Sequence, residues 1–328
     1  MWLCFFASIA ENPLFSTFTP SNNLLFKGSL LYYAYIMIDL HTHSTASDGT
    51  FTPSQLVHYA ASKNIKVLAL TDHDTTSGLL EAQEAAKAEG IIFIPGIEVS
   101  IDWPTGEFHL LGLGLKELSS SLKSLTDFLK EERKNRNIKM AQRLKEEGVD
   151  ITFEEVASHF NTENIGRPHF AACMVQKGII KERQQAFDLY FAKGRPCYVD
   201  KAGADLQSAI NAIKESGGVP VQAHPLSMYI SWGKIEDTLK DIVSKGIMGF
   251  EAWHPGIRVA EAERLEDIAH KLSVCATAGS DFHGEKVRAD RHIGYTAGKK
   301  KIEDRFWEEE LMPVLKEVHG NENLEFRI

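Results

Sequence analysis

Cysteine is scarce in this chain of 328 residues, and the four that occur are far apart. Cys4, Cys173, Cys197 and Cys275 form no C-x-x-C pair, so the sequence indicates neither a thiolate zinc site nor a disulfide framework. This scarcity is typical of a protein from a reducing compartment, and we expect a cytoplasmic location.

Basic residues are also too few to dominate the surface. The chain has 36 Lys and Arg against 45 Asp and Glu, which gives a net charge of −9. This balance argues against a protein that coats nucleic acid through a broad basic face. A polyanionic substrate must therefore meet a local positive site.

The first 36 residues lack charge and differ from the rest of the chain. They hold nine aromatic residues but only two charged ones, Glu11 and Lys27, and no apolar run of the length that a bilayer requires. Met37 stands directly before the first strand-like segment. We interpret residues 1–36 as a non-native or disordered extension, and we expect no membrane association.

From Met37 onward, short apolar segments alternate with amphipathic helical patterns. Thr52-Pro53-Ser54-Gln55 is a capping-box sequence with proline at the first helical position, and it predicts a helix to about Lys63. Similar signals predict helices over 77–89 and 205–216, each closed by glycine. The predicted strands are 38–44, 66–70, 91–94, 219–223, 248–252 and 273–278. Repeated β-then-α units predict an α/β fold with a parallel sheet or a barrel.

One long segment departs from this alternation. Residues 118–194 are helical in pattern almost throughout and dense in charge. A helical insertion of that size between two strands is typical of a cap that reaches an active site.

The strongest chemical signal is the pair His41-x-His43. Residues i and i+2 of a strand face the same side, so the two imidazoles can converge on one metal ion. Taken alone, an H-x-H pair is often incidental. Here, however, further histidines and carboxylates occur at or near the ends of other predicted strands.

Nine side chains make up this set, six imidazoles and three carboxylates: His41, His43, Asp48, His73, Glu98, His109, His224, Asp281 and His283. Since one ion rarely takes more than six ligands, the set predicts two or three divalent metal ions. Mixed nitrogen and oxygen ligation favours Mn²⁺, Fe²⁺ or Zn²⁺ over Mg²⁺ or Ca²⁺, and we expect Mn²⁺.

Metal ions about 3.5–4 Å apart suit the hydrolysis of a phosphate ester. Neither Ser44 nor Cys275 has a dedicated base that the sequence reveals, so a covalent mechanism is disfavoured. The set therefore predicts a metal-dependent phosphoesterase.

The ordered motifs resemble those of the PHP (polymerase and histidinol phosphatase) superfamily. The segments that carry the resemblance are Asp39-x-His41-x-His43-Ser44-x-x-Ser47-Asp48-Gly49, Thr71-Asp72-His73-Asp74, Gly96-x-Glu98, His109, Ala223-His224-Pro225 and Gly279-Ser280-Asp281-x-His283-Gly284. The helical insertion and Ile165-Gly166-Arg167-Pro168-His169 are similar to the TrpH-like branch. Members of that branch are 3′,5′-nucleotide bisphosphate phosphatases and 5′-to-3′ exoribonucleases acting on short RNA and RNA 5′ ends.

The resemblance implies a distorted (β/α)₇ barrel, formed here by 37–117 and 195–328, with 118–194 as the helical insertion. It also implies three metal positions. The ligands of the first would be His41, His43, Glu98 and Asp281; Glu98 would bridge to the second, held by His109 and His224; and Asp48, His73 and His283 would hold the third.

The resemblance further implies substrate-binding and catalytic roles for Arg167 and His169. A guanidinium can clamp a phosphate through two hydrogen bonds, and the imidazole can protonate or hydrogen-bond the leaving group. The structural alternative is a helix-entry turn with a structural salt bridge. Lys201 is a further candidate for phosphate binding, whereas His254 stays outside the ligand set because every position is filled.

Arg133, Arg136, Lys139 and Arg143 recur at helical spacing in the insertion. They could guide phosphates, but the interleaved glutamates favour an ordinary solvated face.

Three alternatives remain open from the sequence. A histidinol-phosphate phosphatase would share the metals but would need acidic groups for a cationic amine. An amidohydrolase also begins with H-x-H, and a non-catalytic nucleic-acid-binding module would need a basic patch with aromatics. We expect a nucleotide or short RNA as the substrate and no stable protein partner.

Overall fold

The computed structural model describes residues 36–160, 164–200, 202–285, 287–288 and 290–320. The predicted extension lies outside this range except for Ile36, and Lys201 lies outside it as well.

Seven strands form one sheet, in which spatial order follows chain order. They are β1 (Met37–Asp39), β2 (Ile65–Leu70), β3 (Ile92–Ile101), β4 (Phe108–Leu113), β5 (Val219–Ala223), β6 (Gly249–Trp253) and β7 (Cys275–Ala278). All neighbours are parallel except β4, which runs antiparallel to both β3 and β5. The reason is the connection: only residues 102–107 join β3 to β4, and so short a loop permits only a hairpin. The expectation of a wholly parallel sheet is therefore wrong at β4.

Ten α-helices occur in the described part of the chain. They are α1 (Pro53–Ser62), α2 (Leu79–Glu89), α3 (Ser120–Glu146), α4 (Phe153–His159), α5 (Arg167–Gln176), α6 (Arg183–Ala186), α7 (Leu206–Glu215), α8 (Ile235–Ser244), α9 (Val259–Lys271) and α10 (Met312–Val318). Two π-helical turns, Phe187–Phe191 and Phe306–Leu311, follow α6 and precede α10. None of the described helices is both long and apolar enough to traverse a bilayer.

The predicted helix signals take the expected form at α1 and α2. The Thr52 hydroxyl accepts a hydrogen bond from the Gln55 backbone N–H, and the Gln55 side chain accepts one from the Thr52 N–H. Helix α2 ends at Gly90, whose φ of 66° lies in the left-handed region that glycine adopts without a steric penalty.

The first strand is shorter than predicted, because its pairing with β2 ends at Asp39 rather than Ser44. Beyond Asp39 the chain also bonds to the segment that follows β7, while the carbonyl of Thr42 still accepts from the Thr71 N–H at 2.9 Å. The backbone N–H of Asp281 donates to the carbonyl of His41, and that of His43 donates to the carbonyl of Phe282, both at 2.9 Å. The two histidines therefore sit between the first and last strands of the sheet.

Two apolar clusters stabilise the fold. The larger surrounds the sheet and includes fully buried residues such as Leu68, Ile97 and Phe250. The smaller consists of side chains between Met140 and Cys197, among them the fully buried Phe170. The helical segment thus has an apolar core of its own.

Candidate metal centre

All nine predicted ligands meet at one end of the sheet. This end collects the carboxyl ends of the six strands that run in one direction, together with the start of β4. The ligand-bearing positions are His41 and His43 after β1, Asp48 before α1, His73 after β2, Glu98 in β3, His109 in β4, His224 after β5, and Asp281 and His283 after β7. Hydrolase sites are commonly built at this end of barrels and parallel sheets.

Glu98 lies at the centre of the cluster and is fully buried. Its Oε2 atom is 2.9 Å from His73 Nδ1 and 3.3 Å from the Nε2 atoms of both His41 and His43. Its other oxygen, Oε1, faces the next strands.

These close approaches around Oε2 are not hydrogen bonds. The Nε2 atoms of His41 and His43 lie 3.1 Å from each other, and Glu98 Oε2 and His73 Nδ1 are buried polar atoms without a hydrogen-bond partner among the described residues. Such atoms are rare, because leaving them unsatisfied costs roughly 1–3 kcal/mol each. Imidazole nitrogens that crowd around a carboxylate oxygen which accepts no hydrogen bond fit a metal ion that they would share.

The second oxygen of Glu98 brings in two more predicted ligands. Oε1 lies 2.8 Å from His109 Nδ1 and 3.1 Å from His224 Nε2. One carboxylate therefore contacts five imidazoles through two oxygens, which is the arrangement expected of a bridging ligand.

The remaining carboxylates extend the cluster toward α1. His283 Nε2 is 3.2 Å from Asp48 Oδ1, and Asp281 Oδ1 is 3.2 Å from His43 Nε2. Three sets of ligand atoms fall within 4.8 Å of one another: His41, His43, Glu98 and Asp281; His43, Asp48, His73 and His283; and His73, Glu98 and His109.

Burial and neighbouring charges shift the pKa values of the predicted ligands. Burial alone raises the pKa of Glu98, but His73, His109 and His41 outweigh it and hold the pKa well below its usual value. Burial and two neighbouring imidazoles lower the pKa of His43 to about 3. Burial lowers the pKa of His41, His224 and His283 as well, but the carboxylates that face them outweigh burial and raise it, for His283 to about 9. Metal ions bind the ionised carboxylate and the neutral imidazole, so metal binding would displace these protons.

Glu251 orients two of these imidazole residues, and the sequence analysis missed it. Its Oε1 accepts a hydrogen bond from His41 Nδ1 at 2.8 Å, and its Oε2 accepts one from the backbone N–H of His224 at 2.8 Å. The first bond leaves His41 Nε2 with its lone pair toward Glu98 and Asp281. A buried carboxylate between Phe250 and Ala252, in an otherwise apolar strand, was the available signal.

His224 is fixed through its other ring nitrogen as well. Ser227 Oγ donates to the carbonyl of Glu107, so it accepts from His224 Nδ1 at 2.8 Å, and Nε2 is left free to bind a metal. The backbone of His224 has a φ of 30°, an uncommon value for a residue other than glycine.

Glycine is required at position 279 for the same packing. A Cβ atom there would lie 2.3 Å from His41 Cβ and 2.6 Å from Glu251 Oε1. Any side chain would therefore displace both the predicted ligand and the carboxylate that orients it.

Arg291 and His254 contact the outer oxygen of Asp281. Arg291 Nη1 donates to Asp281 Oδ2 at 2.8 Å and contacts His254 Nε2 at 2.5 Å. His254 lies beside the cluster and not in any of the ligand sets, as expected. Arg291 was not predicted, because it lies in a polar loop without a distinguishing pattern.

The arginines of α3 depart from the expected solvated face. Arg136 is only 6% exposed, and Arg133 forms an ion pair with Asp74, the residue next to His73. Lys139 and Arg143 are exposed, as predicted. The α3 face that carries Arg133 and Arg136 is turned inward, toward the end of β2, which helical spacing alone did not reveal.

The substrate-binding candidates lie at the start of α5. Arg167 Nη2 donates to the carbonyl of Val199 at 2.7 Å, and its guanidinium lies 5.2 Å from the centre of the Tyr198 ring. His169 is buried, and its Nδ1 accepts a hydrogen bond from the backbone N–H of Gly166 at 2.9 Å. Burial lowers the pKa of His169 to about 4.

Comparison with known families agrees with this geometry. Buried imidazoles and carboxylates at the strand ends of an α/β sheet are the arrangement that metal-dependent hydrolases use. The PHP domain model matches residues 39–190. This chain belongs to the PHP family.

Two curated relatives place it more closely. The chain is 34% identical to a 3′,5′-nucleoside bisphosphate phosphatase of Chromobacterium violaceum, over 83% of this chain and 95% of that protein. It is 33% identical to a 5′-3′ exoribonuclease of Haemophilus influenzae, over 75% of this chain and 89% of that protein. These relatives confirm the TrpH-like branch.

Solved structures share the fold. An amidohydrolase from Chromobacterium violaceum, with bound sulfate and no metal, has a TM-score of 0.75 and 33% identity, covering 86% of this chain and 96% of that chain. A candidate metal-dependent phosphoesterase of Bifidobacterium adolescentis has a TM-score of 0.74 and 30% identity, covering 84% and 95%. The chain is a hydrolase of phosphate esters, so the binding-module alternative is wrong.

Proposed function

We propose that this hydrolase removes phosphate from nucleotides, converting a 3′,5′-nucleotide bisphosphate to the 5′-nucleotide, or releases 5′-nucleotides from the 5′ end of short RNA. The observation that carries the proposal is a metal-ligand cluster next to buried arginines. The first feature suits phosphoester hydrolysis, and the second suits a substrate with more than one phosphate group.

The arginines supply an excess of buried positive charge. Arg136 forms no ion pair within the described residues, and its guanidinium donates only to the Asn137 side chain. Burial lowers its pKa well below the usual value, and the nearby charges of Arg133 and Arg167 lower it further. The Asp74 carboxylate opposes this lowering but is itself paired with Arg133. Since a buried cation without an ion pair of its own is unfavourable, a bound anion would stabilise Arg136. Phosphate oxygens match guanidinium geometry.

Two or three metal ions would be held by the nine ligands, and Mn²⁺ is the ion we expect. Among the sets of ligand atoms within 4.8 Å of one another, one supports the first metal position, formed by His41, His43, Glu98 and Asp281. Another supports the third position, formed by Asp48, His73 and His283, with His43 added. For the middle position, Glu98 Oε1 contacts His109 and His224, whereas the distance set pairs Glu98 and His109 with His73. When bound, such ions activate water and neutralise phosphoryl oxygens.

His169 would act as a hydrogen-bond donor. Because its Nδ1 accepts from Gly166, the proton of the neutral ring is on Nε2. With a pKa of about 4 the ring is neutral near pH 7, so it can donate a hydrogen bond to a substrate oxygen but is a poor source of a full proton.

We further propose that the sheet closes into a distorted barrel and that 118–194 caps the site. Hydrogen bonds between the segment after β1 and the segment after β7 support closure. The separate apolar cluster and the Arg133–Asp74 ion pair support a cap that reaches the strand ends. The described cysteines are free, which is consistent with a cytoplasmic location.

The test is phosphate and nucleotide release from adenosine 3′,5′-bisphosphate, a 5′-phosphorylated RNA and histidinol phosphate, with Mn²⁺ added and then chelated. We expect Mn²⁺-dependent AMP formation or stepwise release of 5′-nucleotides, and loss of both in Asp281→Ala. Turnover of histidinol phosphate alone would contradict the nucleotide assignment, and the buried arginines oppose binding of its cationic amine.

A further inference from the structure

Tyr229 is unusually exposed for an aromatic residue in a loop at the metal-centre end of the sheet. It follows β5 and stands five positions after His224. Its side chain is 82% exposed, the largest value among the exposed large hydrophobic residues of the described part. Most of the ring surface is therefore available to a ligand.

The backbone of Tyr229 is also in an uncommon conformation. Its φ of 54° lies in the left-handed region, where a bulky residue is an outlier. Tyr229 ends the 3₁₀ turn Pro225–Met228, as Asn64 and Ser273 terminate α1 and α9, a common use of that conformation. Asp74, His224, Asp281 and Lys299 also have positive φ values. The left-handed conformation therefore marks the end of this turn, where the chain leaves the loop with the Tyr229 ring in solvent.

The loop that carries Tyr229 is held rigidly at the strand ends. The backbone N–H of Glu107 donates to the carbonyl of Ser227 at 2.8 Å, and Thr105 Oγ1 donates to the carbonyl of Met228 at 2.9 Å. Close approach is possible because Gly106 has no side chain; a Cβ there would lie 2.2 Å from the Ser227 carbonyl oxygen. Tyr229 is thus presented from a fixed loop.

This loop faces the same end of the sheet as the proposed phosphate-binding groups. The β3–β4 hairpin and the loop after β5 both lie where Glu98, His109 and His224 meet. Burial lowers the pKa of Arg167, and the charge of Glu107 opposes that shift, so Glu107 and Arg167 are near one another. The backbone carbonyl of Glu107 also accepts a hydrogen bond from Ser227 Oγ, which ties Glu107 to the loop after β5.

We propose that Tyr229 is a stacking platform for the nucleobase of the substrate. The inference rests on the proposed nucleotide substrate and adds the group that would select it over other phosphate esters. A rigid, exposed ring can stack on any base, since every base has a π face, and this gives affinity without base identity. The metal cluster and arginines would take the phosphates.

The test compares two substrates that differ only in the base: adenosine 3′,5′-bisphosphate and its abasic analogue with a tetrahydrofuran ring. In Tyr229→Ala we expect KM for the adenosine substrate to rise by roughly 5- to 150-fold, the range of one lost stacking contact. KM for the abasic substrate should stay unchanged. Tyr229→Phe and Tyr229→Trp should restore binding, because the ring and not the hydroxyl is required.

Ile92→Ala is the matched control, since Ile92 is 49% exposed at the opposite end of β3. Equal KM changes for both substrates, no change for either, or a change only in oligomeric state would overturn the stacking role. If the wild-type enzyme turns over the abasic substrate but no nucleotide, the proposed function fails together with the inference. Nucleotide turnover that is indifferent to Tyr229→Ala removes the stacking role alone.

Discussion

The described part of the chain has two clusters of potential metal ligands, and they differ in how their lone pairs are used. At the site, Glu98 Oε2 lies near three imidazoles yet accepts no hydrogen bond. The second cluster consists of Glu266, His270 and Glu310, whose ligand atoms also fall within 4.8 Å.

In this second cluster each carboxylate oxygen already has a partner. Glu266 accepts hydrogen bonds from Trp253 Nε1 and from Arg305, and Glu310 contacts His270 Nε2 at 2.7 Å and accepts from the Ala276 N–H at 2.9 Å. Proximity alone therefore does not define a metal site. A site needs ligand atoms that the protein leaves unsatisfied.

The largest expected effect is from Glu98→Gln. Losing the shared carboxylate should lower kcat/KM by about 10³-fold or more, the scale on which electrostatic stabilisation of a transition state is lost. Metal content by mass spectrometry should fall in parallel. Glu310→Gln is the matched control, and a similar loss of metal in that variant would erase the distinction between the two clusters.

Removing the orienting carboxylate should have a smaller effect. Glu251→Ala frees His41 Nδ1 and the His224 N–H from their shared partner, and we expect a 10- to 100-fold loss of Mn²⁺ affinity, as is usual for outer-layer groups. Titration of activity with Mn²⁺ measures this, and saturating Mn²⁺ should restore most of kcat. Glu251→Gln should lie between wild type and Glu251→Ala, since an amide oxygen can still accept from His41.

The two clusters also differ in how their arginines are compensated. Arg136, at the site, has no ion pair in the described chain, whereas Arg305 is paired with both Glu266 and Glu303. Arg136→Met should raise KM for a bisphosphate by about tenfold, one lost charged hydrogen bond, without lowering the free energy of unfolding in urea. A marked loss of stability in Arg136→Met would mean that the cation is compensated after all.

The smallest effect is expected in the second cluster, at the arginine that pairs with Glu266. Arg305→Met should lower the free energy of unfolding by at most about 1 kcal/mol and leave activity unchanged.

The stabilisation by Arg305 should also depend on pH. Although burial raises the pKa of Glu266, hydrogen bonds from Arg305 and Trp253 outweigh burial, so the net shift of the pKa is downward. The stability from this shift is present above the unfolded pKa near 4.3 and is lost as pH falls through the folded pKa. Urea unfolding of wild type and Arg305→Met from pH 7 to pH 3 should therefore converge at low pH.

Much of the fold followed from local sequence signals. The capping box at Thr52 and the glycine stop at Gly90 operate within a few residues, so the ends of α1 and α2 matched prediction. The direction of β4 did not, because it depends on a loop too short to hold a helix. The predicted length of β1 was too long, because its regular pairing with β2 ends at Asp39 and His41 and His43 bond to the segment after β7.

Within the site, features that depend on local sequence could be predicted, whereas features that depend on contacts between distant segments could not. The convergence of the nine predicted ligands could be foreseen because most of them are costly polar residues in or just after apolar strands, and strand ends of one direction must converge. Glu251 could not be assigned a role, since its partner His41 lies 210 positions away. The burial of Arg136 likewise depends on which face of α3 packs inward, and its helix pattern is charged almost all round.

The sequence by itself determined that this protein is a metal-dependent hydrolase of the PHP family, because the ligand types and their positions after apolar strands are local properties. Only the tertiary structure decided which imidazole nitrogen faces Glu98, that Arg136 is buried without an ion pair among the described residues, and where Tyr229 is displayed. Those features arise from contacts between segments that are distant in the chain, and no local pattern encodes them.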